Sequence, residues 1–109
     1  MHGGLSRLGR PAIKEMNRIG MIIDASHASE GCARQVFELS KAPVMFSHSN
    51  VKGVLDCARN LPDDILDMVP NNGGVVCVTF VPEHVASRRK DTRMEMVLDH
   101  LFYIAERID

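Results

Sequence analysis

Met21-Ile22-Ile23-Asp24-Ala25-Ser26-His27 and Pro43-Val44-Met45-Phe46-Ser47-His48 decide how this chain is read. Each is a short apolar run that ends in Ser-His, after one intervening alanine in the first case and directly in the second. An imidazole at the carboxyl end of a buried strand is how a barrel builds a metal or catalytic site. The two histidines lie 48 − 27 = 21 positions apart, which is room for one crossover between parallel strands. Adjacent strands then end at equivalent heights, where two neutral imidazoles can share an ion such as zinc while carboxylates and water complete an open site. Taken singly, each histidine reads as a strand-end residue bonded to backbone. The repetition of Ser-His favours a shared ion.

Working outward, Leu8 to Ile19 reads as an amphipathic helix, with Ile13, Met16 and Ile19 apolar, Pro11 near its start and Gly20 at its stop. Met21 to Ala25 is a strand, and Ser29 can cap a helix from Glu30 to Ser40 whose inner face uses Ala33, Val36, Phe37 and Ser40. Pro43 to Phe46 is the second strand, with proline where no ladder donor is needed. Val51 to Ala58 can hold a helical turn, and Asn60 can cap a helix beginning Leu61-Pro62-Asp63-Asp64. After the Asn71-Asn72-Gly73-Gly74 turn, Val75 to Phe80 is the most β-prone stretch, and its continuous apolarity predicts cover on both faces. The last helix, Thr92 to Arg107, is expected to bury a stripe through Met94, Val97, Leu98, Leu101, Ala105 and Ile108.

The order αβαβαβα predicts an α/β fold with parallel strands and about three βα units. A parallel sheet of three strands leaves both edges open, and a (β/α)8 barrel takes about 250 residues. The 109 residues are expected to form a central part of one barrel domain, with no internal domain boundary.

The totals narrow the function. Net charge is −1 and hydrophobic content 45%, an ordinary globular composition with no electrostatic case for nucleic acid. Arg88, Arg89, Lys90 and Arg93 cluster, but beside Asp91, Glu95 and Asp99, as on a solvated surface. Cys32, Cys57 and Cys77 have unrelated spacings and are expected to be free thiols. No run reaches the roughly 18 apolar residues that span a bilayer.

Other candidates are weaker. Arg59 lies eleven positions after His48, where a guanidinium can pair with a substrate carboxylate. Spacing alone favours a surface arginine bonded to Asp63 or Asp64. His84 reads as a loop residue near the barrel mouth, His100 as a structural histidine, and His2 lies near an end. Asp24 is expected to orient a neighbour or bond a backbone amide.

The run Glu15-Met16-Asn17-Arg18-Ile19-Gly20-Met21-Ile22-Ile23-Asp24-Ala25-Ser26-His27-Ala28-Ser29 resembles a segment of the renal-type (membrane) dipeptidases. Pro43 to Ser49 is similar to their PVIFSHS segment and Arg59 to Asp64 to their RNVPDD segment. Gly4-Leu5-Ser6 with Gly9, and Asn72 to Val76, also look like family segments. The three motifs come in the family's order and intervals, and the likeness covers nearly the whole chain. It implies a (β/α)8 barrel that hydrolyses dipeptides with a metal-activated water at a two-zinc centre. On that pattern His27 and His48 match two histidines that bind one zinc, and Arg59 matches the arginine that contacts the substrate carboxylate. No catalytic acid or base of the pattern falls in this chain: its His-x-Asp pair, bridging glutamate and a substrate-contacting histidine would precede Met1, and its active-site aspartate would follow Asp109.

Ala25, Cys57-Ala58 and Thr79 depart from the family pattern without removing a matched ligand. The parent is expected to be an active zinc enzyme, compatible with a homodimer, and this chain alone inactive. The rivals are another metal-dependent amidohydrolase-type barrel and a non-catalytic remnant with unused histidines.

Overall fold

The computed structural model describes residues 3–108, so His2 lies outside the described residues. Helix α1 (Gly9–Ile19) stops at Gly20, whose φ of 73° lets its N–H and that of Met21 turn back onto the last carbonyls. Strand β1 (Ile23–Asp24) leads to α2 (Glu30–Leu39), where the Ser29 hydroxyl accepts from the Cys32 N–H as the sequence predicts. Strand β2 (Val44–Phe46), two short helices α3 (Asp63–Leu66) and α4 (Met68–Asn72), and strand β3 (Val75–Val76) follow. Helix α5 (Pro82–Val85), a 3-10 turn at Arg89–Asp91 and α6 (Met94–Ile108) complete the described chain.

The three strands are parallel in the order β1-β2-β3, as expected. Ile23 pairs with Val44 and Asp24 with Met45, a constant offset of 45 − 24 = 21. His27 and His48 stand three residues beyond the Asp24–Met45 pair on their respective strands, so the register itself brings them level. On the next strand Met45 pairs with Val75, an offset of 30, which puts Val78 at the same height.

One face of the sheet is covered. Ile23, Ala25, Val44 and Phe46 pack on Ala33, Val36 and Phe37 of α2 and on Ile65 and Val69, and the Phe37 and Phe46 rings stack at 5.8 Å. The opposite face is open: Ile22 is 69% and Val75 51% exposed. The expectation that Val75 to Phe80 is covered on both sides does not hold within these residues. Ladder pairing also ends early there. Beyond Val76 the strand continues through Cys77 N–H to Phe46 O and Ser49 N–H to Cys77 O, after which the Asn50 side chain takes over.

Of the remaining readings, one holds and two are corrected. Val51 to Ala58 opens with the expected helical turn, in which the Val54 and Leu55 N–H groups donate to Val51 O, and Val51 also bridges to Leu61 in a parallel pair. Asn60 does not cap α3; Pro62 holds that position, and the Asn60 amide points elsewhere. In α6 the buried residues are Val97, His100 and Ile104, while Met94, Leu98 and Leu101 are exposed. The helix is rotated from its predicted stripe because His100 turns inward to make two backbone contacts.

His100 is fully buried. Its Nδ1 accepts from the Val51 N–H at 3.3 Å, and its Nε2–H donates to Val85 O at 3.4 Å. Burial pushes its pKa below the ordinary 6.5, against the opposing effect of the Val85 carbonyl. The unfolded chain then binds the proton more readily than the folded one, so stability is full above about pH 6.5 and falls as pH drops toward the folded pKa. His100→Phe is expected to leave two backbone groups without partners, costing about 1–3 kcal/mol for each, and to flatten this acid-side loss. Urea midpoints measured between pH 5 and 8 check both effects.

Candidate metal centre

The ends of β1 and β2 are tied by one carboxylate. Asp24 Oδ1 accepts from the Ser26 N–H at 2.9 Å and the Ser47 N–H at 3.2 Å, and Oδ2 accepts from the Ser47 hydroxyl. Partial burial works against its charge, but the Ser47 hydroxyl and the two amides outweigh it and hold its pKa below the usual carboxylate value. Asp24 both orients a neighbour and bonds backbone, as its position within the strand predicted.

That ionised carboxylate sets the tautomer of His48. Ser47 gives its only hydroxyl proton to Asp24, so at the 2.6 Å contact with His48 Nδ1 the imidazole donates. The Nε2 lone pair of His48 is thereby left to face His27. His27 Nε2 lies 2.8 Å from it, with ring centroids 4.8 Å apart and planes inclined by 54°. His27 reaches this place with φ at 71°, the one non-glycine residue of positive φ among the described residues. That left-handed backbone costs on the order of 1 kcal/mol, a strain that clusters at functional sites. The Ser26 hydroxyl locks the other side by accepting from the His48 N–H at 3.1 Å.

Two imidazoles with facing Nε2 atoms are a donor set suited to zinc, which binds the neutral ring. Zinc–nitrogen bonds of about 2.0–2.1 Å in a tetrahedron separate two such nitrogens by about 3.3–3.4 Å. The observed separation of 2.8 Å is short of that by about half an ångström, a small ring rotation. Among the described residues no group of three or more His, Cys, Asp or Glu side chains is arranged to hold an ion. The pair fits as part of a metal site rather than as a whole one.

Arg59 is half-buried and lines a cleft together with His27, Glu30, Phe46 and Asn60. The simpler reading, that it bonds Asp63 or Asp64, is overturned because both carboxylates are engaged elsewhere. Asp64 pairs with Arg34 at 2.6 Å, and Asp63 accepts from the Tyr103 hydroxyl and pairs with Arg107. The buried Asn60 Oδ1, beside the same cleft, has no hydrogen-bond partner among the described residues.

His84 is not in a loop but in α5, and its backbone carbonyl accepts from Asn60 Nδ2, next to Arg59 in sequence. Burial lowers its pKa first, and the Arg59 charge lowers it further against the opposing effect of Glu83, with smaller lowering effects from His27 and His48. Its place after the third strand pointed to this end of the sheet, but the bond to the Asn60 side chain was not legible in the spacing. Cys32, Cys57 and Cys77 are free, as expected.

With this geometry in view, relatives are informative. The family description "Membrane dipeptidase (Peptidase family M19)" matches residues 1–108. The chain belongs to the membrane dipeptidase family. Dipeptidase verJ of Clonostachys rogersoniana is 47% identical over 98% of this chain, and dipeptidase aclJ of Aspergillus oryzae is 42% identical over 98%. The chain spans only about a quarter of these relatives' length, 27% and 26%. Two solved structures superpose with TM-scores of 0.91 at 34% identity, covering 96% of this chain and 31% of theirs: dipeptidase AC, a metallopeptidase of family M19, and a metallopeptidase from Rhodobacter sphaeroides liganded with a phosphinate mimic of the dipeptide L-Ala-D-Ala. The three parallel strands and their helices are thus part of a membrane dipeptidase barrel.

Ser47→Ala removes the acceptor that fixes His48 in its Nδ1–H tautomer. The nitrogen-15 shifts of the ring are expected to move toward a mixed-tautomer population, while the backbone spectrum of β1 and β2 stays in place.

Proposed function

We propose that this chain is the central part of a zinc-dependent dipeptidase with a two-metal centre, in which His27 and His48 bind one ion and Arg59 receives the substrate carboxylate. The observation that carries the reading is the convergence of two strand-end imidazoles at 2.8 Å beside a cleft lined by Arg59, in a chain of the membrane dipeptidase family. The Rhodobacter sphaeroides relative, liganded with a dipeptide mimic, supports dipeptides as the substrate class. That the chain spans about a quarter of its curated relatives supports its being one portion of the barrel.

When bound, zinc supplies Lewis acidity toward the scissile carbonyl and makes water a nucleophile at neutral pH. The residues of this chain do the holding. His48, fixed through Ser47 and Asp24, would offer its Nε2 lone pair to the ion, and His27, whose Nε2–H donates to His48 in the metal-free contact, would offer its own once that proton moves to Nδ1. Arg59, with no ion pair to Asp63 or Asp64, is available for a two-pronged bond to a carboxylate. Anchoring that end of a dipeptide brings its peptide bond into register with the metal site and lowers the entropic part of the barrier. The remaining ligands and the proton-transferring group are expected from residues outside this chain.

Zinc per mole of the full-length protein is expected to fall when His27 or His48 becomes alanine; unchanged content removes the assignment. Arg59→Ala is expected to lower kcat/KM for Gly-Leu and Ala-Ala by about 10–100-fold, the worth of a charged hydrogen bond, and to spare a dipeptide amide. An equal effect on both substrates favours the rival amidohydrolase reading. The 109-residue chain alone is expected to show no turnover with added zinc.

A further inference from the structure

Helix α5 has four residues, too few to hold a shape unaided, yet it is pinned from several directions. His84 O accepts from Asn60 Nδ2 at 2.9 Å and from Asn50 Nδ2 at 3.2 Å. Val85 O accepts from His100, and Pro82 O from the Ala86 N–H and the Thr92 hydroxyl. Asn60 follows Arg59 in sequence, and Asn50 is two residues beyond His48. The loops carrying both proposed ligand and substrate contacts are therefore bonded directly to the backbone of His84. The side chain is half-buried, and the Arg59 charge acts on it more strongly than those of Glu83, His27 and His48.

We propose that His84 lines the pocket for the carboxyl-terminal side chain of the dipeptide and selects that side chain by hydrogen bonding. The proposal rests on the dipeptidase reading, with Arg59 receiving the carboxylate: the residue that bears the carboxylate then sits on the Arg59 side of the site, where His84 stands. Partial burial and the Arg59 charge lower its pKa, which favours the neutral imidazole with one N–H and one lone pair. Such a wall suits an uncharged hydrogen-bonding side chain over an aliphatic one of equal size. A pocket that hydrogen-bonds its ligand discriminates strongly against an analogue lacking the group.

The test uses the full-length zinc-loaded protein and two matched substrate pairs, Ala-Gln against Ala-Leu and Gln-Ala against Leu-Ala. His84→Phe is expected to lower the Ala-Gln to Ala-Leu ratio of kcat/KM by about tenfold, leaving the Gln-Ala to Leu-Ala ratio and the zinc content unchanged. His84→Gln, which keeps a donor and an acceptor, is expected to restore most of the ratio and serves if the phenylalanine variant misfolds. Equal shifts in both ratios, or no shift in either, overturn the proposal. A wild-type protein inert toward all four dipeptides removes the dipeptidase reading, and this proposal with it. Wild-type turnover without the His84 effect removes this proposal alone.

Discussion

The Asp24 carboxylate is the junction on which the site depends. It lies at the end of β1, reaches across to β2, and accepts from the amides of Ser26 and Ser47 and from the Ser47 hydroxyl. Hydrogen bonds to a charged acceptor contribute about 1.5–3 kcal/mol each, more than a neutral ladder bond. These bonds carry the strand register past the last ladder pair, at the level where the chains would otherwise diverge into loops. They also transmit a chemical choice. An ionised carboxylate takes the serine proton, the serine takes the imidazole proton, and the nitrogen left bare is the one that faces the neighbouring strand.

A second device does for the loops what Asp24 does for the strands. Asn50 and Asn60 are both buried, and their side-chain amides replace ladder bonds that an irregular backbone cannot make. Asn50 exchanges two bonds with Thr79 and reaches His84, while Asn60 joins Leu55 to His84. Buried amides are costly unless satisfied and rigidifying when they are. Bonds of this kind tie the loop that bears Arg59 to the backbone of His84 although the two are far apart in sequence.

How much of this was legible follows from the range of the interactions. The level ends of β1 and β2 are local in origin: two apolar runs, a capped helix between them and a constant offset of 21. Ser-His at each end therefore translated directly into meeting imidazoles. Arg59 was identifiable as a candidate, but its availability was not, because that depends on Arg34, Tyr103 and Arg107 engaging Asp64 and Asp63. His84 was misjudged because its placement rests on side-chain bonds spanning 24 and 34 residues. The burial of α6 was misjudged for a related reason. Hydrophobicity favours a Met94, Leu98 and Leu101 stripe, whereas two unpaired backbone groups draw His100 inward.

His27 carries one more implication. A left-handed backbone, at φ 71°, is one that glycine adopts without strain and asparagine with little. At this position histidine is the worse residue for folding by on the order of 1 kcal/mol. A lineage released from the need for that imidazole has a single downhill step available, and most replacements that take it erase the ligand. The residue is thus self-reporting over evolutionary time: mutational drift removes it from an idle copy of the fold, and purifying selection alone retains it.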